Sequence, residues 1–460
     1  MPQKSSGPLT LKPLWTSACI CIYPLGGSLN HNKLLIISYL FPPVGGIGVQ
    51  RALSLAKYLP RCGYEVHILK GTNAGGPVYD PDLLRQVPRE VVVHEALSPE
   101  VPFAIRQALW ARITAGPKGP QTEKTKRTER QVGLLERLVK RVLCPEPEIL
   151  WVPFAIRKAR RIIRKYRIGS VLVTVPPFSA LLVGTAMKRA FPSIKLVSDF
   201  RDEWLSFYLK DFEFQNSEHT RRRATEIERD AVECSDLVVA VNQSSRNEIR
   251  RRYPNQVEQK FQVVSNGYDP EVFAGFESRP NPLPRMLITH VGTLYKTASP
   301  RFYLDAVDRL AEEIRPNIET RFLGRVSDTE RALLDDRKHR VNVMGFMPQA
   351  EALKWTEETD YLLLTMTNEI SVPGKLFEYM ATGKPILAVT PRESEVDQIL
   401  QQTRGGICAP PDDEEAIRAM LTRAFQAWRS GTPLISPDRD AVSRYERPRL
   451  AEEYARMISQ

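Results

Sequence analysis

The residues best suited to chemistry sit together in one short stretch, Pro373, Gly374, Lys375 and Glu378 of the segment YLLLTMTNEISVPGKLFEYMATGKPILAV, which runs from Tyr361 to Val389. A lysine at the start of a helix adds a point charge to the unpaired backbone N–H groups of the first turn and to the positive end of the helix dipole, a combination that suits a phosphate or pyrophosphate. Glu378 lies one turn further along the same face. Ionised, it only accepts hydrogen bonds, as a ribose diol would require. The competing reading is an ordinary surface pair of opposite charges, worth about 0.2–0.5 kcal/mol.

The surrounding pattern says how these residues are held. Tyr361–Leu364 and Ile386–Val389 are apolar runs of strand length, and between them Gly374–Thr382 has helical spacing, with Leu376, Phe377 and Met380 on one side. Gly383 and Pro385 stop the helix. Two strands joined through a helix are parallel neighbours. The loop 365–373 then leaves the carboxyl end of the first strand, the edge where open parallel sheets bind ligands.

At 460 residues the chain is long enough for two domains. Its composition, 42% hydrophobic and 26% charged, is that of an ordinary globular protein. No apolar run approaches the ~18 residues of a membrane-spanning helix. The six cysteines are scattered without a CxxC pair, which points to a reducing, cytoplasmic compartment, and the six histidines are isolated, so no protein-held metal is expected. The net charge of +11 is local: residues 104–167 hold 17 Lys or Arg against 5 Asp or Glu. That distribution excludes a uniformly basic nucleic-acid binder and leaves one basic face. Within it, 115–130 reads as a mobile loop, and Val132–Leu143 and Phe154–Tyr166 as amphipathic helices. The second presents Arg157, Lys158, Arg160, Arg161, Arg164 and Lys165, a solvated face or a dock for an anionic membrane surface.

Residues 1–32 read as an N-terminal extension, a disordered tail or the product of an upstream start codon, and make a poor signal peptide. The fold is expected to begin at Lys33 with the strand Leu34–Ser38, a turn containing Gly45, Gly46 and Gly48, and a helix over Val49–Leu59. Arg51 stands where a dinucleotide fingerprint needs its third glycine, so only a generic anion turn survives. Strands at Tyr64–Leu69, Val91–Val93, Ser170–Val175, Lys195–Val197, Asp236–Val241 and Phe261–Val264 complete a first domain over 33–272. Helices over Glu226–Cys234 and Ser245–Arg252 fall between the later strands. The proline-bearing segment 273–284 reads as a linker. A second alternation over 285–442 brings the strand Met286–Val291, a helix over Pro300–Ile314, strands Thr320–Leu323 and Val341–Met344, and helices Leu353–Glu358 and Glu414–Trp428. One more helix spans Tyr445–Ile458. The fold class is α/β, with two doubly wound domains facing a central cleft.

Seven landmarks occur in order: SYLFPPVGGIGVQRA, TVPPFS, SDFRDEW, VVSNGYDPEVF, HVGTLYKTASPRFYLDA, VMGFMP and VPGKLFEYMATGKPIL. With them the chain resembles the glycosyltransferase family 4 (group 1) enzymes of the GT-B fold, from about Lys33 to Ile458. The resemblance implies a UDP- or GDP-linked sugar donor held mainly by the second domain and an acceptor on the first. Transfer would proceed with retention of configuration, without a metal or cofactor, and the last helix would cross back onto the first domain. It implies that Gly374, Lys375 and Leu376 meet the leaving diphosphate, that Glu378 holds the ribose, that Gly46 and Gly48 close on the phosphates, and that Lys296 or Arg301 supplies a second cation. Asp199, Arg201, Pro177 and Ser179 would lie on the acceptor side, with Asp202 near the acceptor hydroxyl and Glu369 toward the sugar.

Two departures stand out. The spacing from Glu369 to Glu378 is one residue longer than the family's glutamate pair, and Ala298 and Ser299 stand where relatives carry an arginine. The readings that follow are a transferase of polysaccharide or glycolipid synthesis, peripheral on the inner face of a membrane, a sugar-nucleotide epimerase of the same fold, or a catalytically silent homologue.

Overall fold

The computed structural model describes residues 29–72, 74–75, 79–99, 143–209, 217–335, 337 and 339–460. The expected helix Val132–Leu143 falls almost wholly outside them, as do the loop 115–130, most of the basic region before residue 143, and residues 1–28 of the expected extension. The first strand starts at Asn30, three residues before the expected start of the fold.

Two parallel sheets organise the chain. The first contains β1 (Asn30–Ile37), β2 (Glu65–Gly71), β3 (Val92–Ala96), β4 (Ile168–Val175), β5 (Lys195–Phe200), β6 (Leu237–Ala240) and β7 (Phe261–Val263) in the order β3-β2-β1-β4-β5-β6-β7. The second contains β8 (Met286–Val291), β9 (Ile318–Leu323), β10 (Arg340–Gly345), β11 (Tyr361–Thr365), β12 (Ile386–Val389) and β13 (Gly406–Ala409) in the order β10-β9-β8-β11-β12-β13. Every pairing is parallel. The central strands are apolar on both faces because helices cover both: β4 (IGSVLVTV) is buried along its whole length, and so is β11.

Strand order reverses between β1 and β4 in the first sheet and between β8 and β11 in the second. At such a reversal the connections leave to opposite faces and open a crevice beyond the carboxyl ends of the strands. The loops there are those carrying Gly46, Pro177 and Lys296, and the one that leads into the helix starting at Lys375.

Helix boundaries follow local satisfaction of backbone groups. The helix expected over Pro300–Ile314 stops at Asp308. Leu310 and Ile314 keep the apolar spacing and are buried, but the Asp308 carbonyl is taken by Arg315 and its carboxylate by Arg337 and His339, which ends the helical ladder there. The helix Glu395–Thr403 and the strand β13 complete the second domain.

The last helix, Arg447–Ser459, packs on the first domain. Leu450, Ala451, Tyr454 and Ile458 join the core formed by Leu34, Ile36 and the helix Ile47–Tyr58. Lys195 Nζ donates to the Met457 carbonyl at 2.9 Å, and the Tyr64 hydroxyl to that of Ala455 at 3.1 Å. Between the domains, Asn242 Nδ2 donates to the Ile370 carbonyl and the Ser244 N–H to Glu395, each at 2.6 Å.

Candidate active site

The floor of the second domain's crevice is made of glycine. Gly292, Gly324 and Gly345 follow or end β8, β9 and β10, all with positive φ, at 128°, 143° and 76°. They are linked in series: the Gly292 N–H donates to Leu323 O and the Gly324 N–H to Gly345 O, each at 2.7 Å. A β-carbon on Gly324 would lie 2.3 Å from the Gly292 carbonyl oxygen, so that approach is open only to glycine. A β-carbon on Gly292 would lie 3.1 Å from Lys375 Nζ, so the turn runs directly beneath the lysine head.

Lys375 is the first residue of the helix Lys375–Thr382, which starts without a side-chain cap. The fixed end of that helix is clear in its packing. Leu376 and Phe377 are fully buried, and the buried Tyr379 hydroxyl accepts from the Val291 N–H at 2.7 Å, pinning the helix to the end of β8. Leu376 is therefore core: its side chain packs with Leu362, Leu364 and Ile386, and its N–H donates to the Pro373 carbonyl at 3.0 Å.

Lys375 Nζ lies 3.1 Å from His290 Nε2. Burial pulls the lysine's pKa down to about 8, with Glu378 acting in the other direction. The Glu378 carboxyl is pushed up by burial and drawn back by Arg447 and Lys375, and it accepts from Gln349 Nε2 at 2.9 Å. Arg447 reaches the site from the last helix, donating to the Gln50 side chain at 2.9 Å and to the Gly267 carbonyl at 3.2 Å. Gln50 is one turn along the helix that Gly46 and Gly48 open. Glu378 thus faces the seam between the domains.

The two other cations, Lys296 and Arg301, are both exposed. The turn carrying Lys296 is held against the loop carrying Glu369, because the Thr367 N–H donates to the Thr297 carbonyl at 3.1 Å. Glu369 is exposed as well.

On the first domain, Gly46 is exposed and has φ 94°. Arg201 bonds the carbonyls of Gly48, Val175 and Pro176, so its guanidinium fixes the glycine turn to the end of β4. Asp199 is fully buried, paired with Arg51 and accepting from the Tyr454 hydroxyl at 2.7 Å. The buried Ser179 N–H and Oγ both donate to Glu146, at 2.6 and 2.8 Å. Pro177 is buried beside it. Three of the residues expected to face the acceptor, Asp199, Arg201 and Ser179, are thus buried and held by protein partners. The reason is the same for each: a buried polar group needs a protein partner, and each has one. Asp202 is different. It is half-buried on the loop after β5, and burial raises its carboxyl pKa against the pull of Arg201 and Arg51. Phe178 stacks on Trp204 at 4.3 Å, which locks the TVPPFS and SDFRDEW loops together.

His290, Arg447, Gln349 and the Gly292–Gly324 contact were not singled out from the sequence. The first three are single residues without a spacing partner, and the contact joins two strand ends far apart in sequence, although HVGTLYK holds both His290 and Gly292. Among the described residues, no cluster of His, Cys, Asp or Glu could hold a metal ion, and no helix is long and apolar enough to cross a membrane.

Residues 285–438 match the family described as Glycosyl transferases group 1, and residues 113–272 match Glycosyltransferase Family 4. Over 112 residues the chain is 29% identical to the amylovoran biosynthesis glycosyltransferase AmsK of Erwinia amylovora, covering 23% of this chain and 27% of that one. The matched part is thus about a quarter of that relative. In three dimensions the chain is similar to the lipopolysaccharide outer core galactosyltransferase WaaB in its apo form, with a TM-score of 0.58 and 12% identity over 93% of this chain and 100% of that one. It is equally similar to Anabaena Alr3699/HepE in complex with UDP and glucose, with a TM-score of 0.58 and 15% identity over 93% and 99%. At these identities the likeness is one of fold.

Proposed function

The chain belongs to the family 4, group 1 glycosyltransferases of the GT-B fold, and we propose that it moves a sugar from a nucleoside diphosphate to a hydroxyl of a glycan or lipid-linked glycan, with retention of configuration. One observation carries the reading. A lysine ammonium sits over a side-chain-free glycine turn at the reversal point of the second sheet, with a carboxylate one turn later at the seam with the first domain. The first feature fits a diphosphate and the second a ribose. A UDP-bound solved structure of the same fold supports a nucleotide-sugar donor.

In this mechanism Lys375 neutralises the charge that develops on the departing diphosphate, the role a divalent ion plays in other transferases. Lys296 or Arg301, both exposed at the rim, adds a second cation when the donor is seated. Asp202, on the loop after β5, would make a polar contact with the incoming hydroxyl, which its raised pKa suits. The leaving phosphate takes the acceptor proton. Phe154, Arg157, Lys158, Arg161 and Lys165 on the helix Val152–Tyr166 would hold the enzyme against anionic lipid, beside an acceptor displayed there.

A thermal-shift panel of UDP, GDP and their sugars on the full chain tests donor binding first. One nucleotide should stabilise the protein, and Lys375→Met should abolish the shift. The matching donor sugar with a lipid-linked glycan extract should then release nucleotide in the presence of excess EDTA, and the product should keep the donor's anomeric configuration. Stabilisation by no nucleotide would overturn the reading. Conversion of the donor without acceptor would make the protein an epimerase.

A further inference from the structure

His290 is the fifth residue of β8 and has no exposed surface. Its ring is fixed on both sides. Nδ1 lies 3.0 Å from the carbonyl oxygen of Leu363 on β11, and the ring packs against Phe322 at 6.0 Å. A carbonyl can only accept, so Nδ1 carries the hydrogen. In a neutral imidazole this leaves Nε2 as a lone pair, and Nε2 is the atom 3.1 Å from Lys375 Nζ. Burial and the neighbouring lysine both keep the ring neutral, holding its pKa well below the usual value. The lysine therefore donates one hydrogen to the ring.

We propose that His290 is a positioning residue for the diphosphate site, its Nε2 lone pair anchoring the Lys375 ammonium over the Gly292 turn so that the remaining two hydrogens meet the leaving group. This rests on the reading of Lys375 as the diphosphate cation. A free lysine side chain has four rotatable bonds and spreads its charge over a large volume. Here one hydrogen bond from β8, itself locked by β11, selects a single position, which removes an ordering cost from donor binding. The same bond keeps the ammonium protonated where burial works against it. The groups that bear on its charge are Glu378 on its own helix, His290 from β8, and Arg447 from the last helix acting through Glu378.

The two amide variants separate the two ends of the ring. His290→Gln extends far enough to put its carbonyl oxygen where Nε2 stands, whereas His290→Asn reaches only the Leu363 carbonyl. His290→Leu makes neither bond. The probes are UDP and inorganic pyrophosphate, titrated calorimetrically into the full chain from about pH 5.5 to pH 10, a span that brackets the lowered Lys375 value and a further fall of a unit. In the wild type, affinity falls as pH rises through about 8, where Lys375 loses its proton. In His290→Leu and His290→Asn this fall should move to lower pH by about one unit, as loss of a hydrogen bond to a charged group implies, and His290→Gln should restore it. In turnover, the same two variants should raise KM for the donor and lower kcat together. A merely structural role would lower the amount of folded protein and leave the midpoint of the fall where it was.

His290→Asn or His290→Leu binding both probes with the wild-type pH midpoint would overturn the proposal. So would equal loss in the Asn and Gln variants. If Lys375→Met bound pyrophosphate and UDP as tightly as the wild type, the donor-site reading itself would fail. Loss of binding in Lys375→Met with no effect at His290 would leave that reading standing and remove only the anchor.

Discussion

At the scale of residues, the crevice holds a charge that the fold disfavours. Desolvation of its head holds the Lys375 pKa down at about 8, against about 10.4 for an exposed lysine. A lysine whose pKa is lowered on folding binds fewer protons folded than unfolded between those two values. Its cost to stability is therefore fully present below pH 8 and is relieved as pH rises through 8 toward 10.4. Lys375→Met should abolish binding of UDP yet raise the melting temperature at pH 7 by about 2 °C or more, with the gain shrinking as pH approaches 10. A lower melting temperature at pH 7 would refute this. Lys375 and Glu378 were legible in the sequence because their spacing places them at one helix start beside a strand end. His290 was not, since an isolated histidine in a strand has no periodic partner, and its role is set by a carbonyl and an ammonium from two other elements. Arg51 was legible only as a missing glycine. In the structure that position needs a long cation, because its guanidinium bonds Asp199, Tyr454 and the Val264 carbonyl from the middle of the domain.

At the scale of elements, the strands and the reversal points carry most of what could be read in advance. Apolar runs such as LLII, VLVTV and YLLL are long and β-branched or bulky enough to mark strands buried on both faces. The short β13, GICA, has no alternation and begins with glycine, so nothing local marks it; pairing with β12 creates it. The glycine floor follows the same logic. Each of Gly292, Gly324 and Gly345 reads locally as a strand stop, and only the sheet order sets them side by side. Their surroundings rank what a methyl group would do. Gly324→Ala meets the Gly292 backbone at 2.3 Å in a conformation that alanine resists, Gly292→Ala meets the flexible end of Lys375 at 3.1 Å, and Gly345→Ala meets open space. Chemical denaturation should give losses in the order Gly324→Ala, Gly292→Ala, Gly345→Ala, with the last near the ~1 kcal/mol cost of a left-handed alanine and the first above about 2 kcal/mol. Gly292→Ala should also weaken UDP binding more than Gly345→Ala does, since only its methyl displaces the lysine head. Equal losses at all three positions would mean that the close approach is not a constraint.

At the scale of the whole molecule, the last helix makes the first domain's interior depend on the far end of the chain. Arg51 and Asp199 are both buried, and the Tyr454 hydroxyl closes their network across 255 positions of sequence from Asp199. The helix also brings Arg447 beside Glu378, so one element touches the buried pair at one end and the proposed ribose site at the other. Sequence position alone could not place it there, because its apolar face fits any domain surface of matching pattern. Asp199→Asn keeps the shape and removes the charge, leaving a guanidinium buried among neutral acceptors. Breaking one side of a buried pair costs about 3–5 kcal/mol. Because Tyr454 shares that network, part of this loss should appear as opening of the helix Arg447–Ser459. Hydrogen exchange followed by mass spectrometry on the variant should show faster exchange in peptides from this helix and from Ile47–Tyr58, with peptides from Lys375–Thr382 and β12 close to wild type. Asp230→Asn, which breaks only a surface ion pair with Arg189 outside the network, is the control and should leave the last helix protected. Wild-type protection of that helix in Asp199→Asn would mean that its packing on Leu34, Ile36 and their neighbours holds it without the charged network.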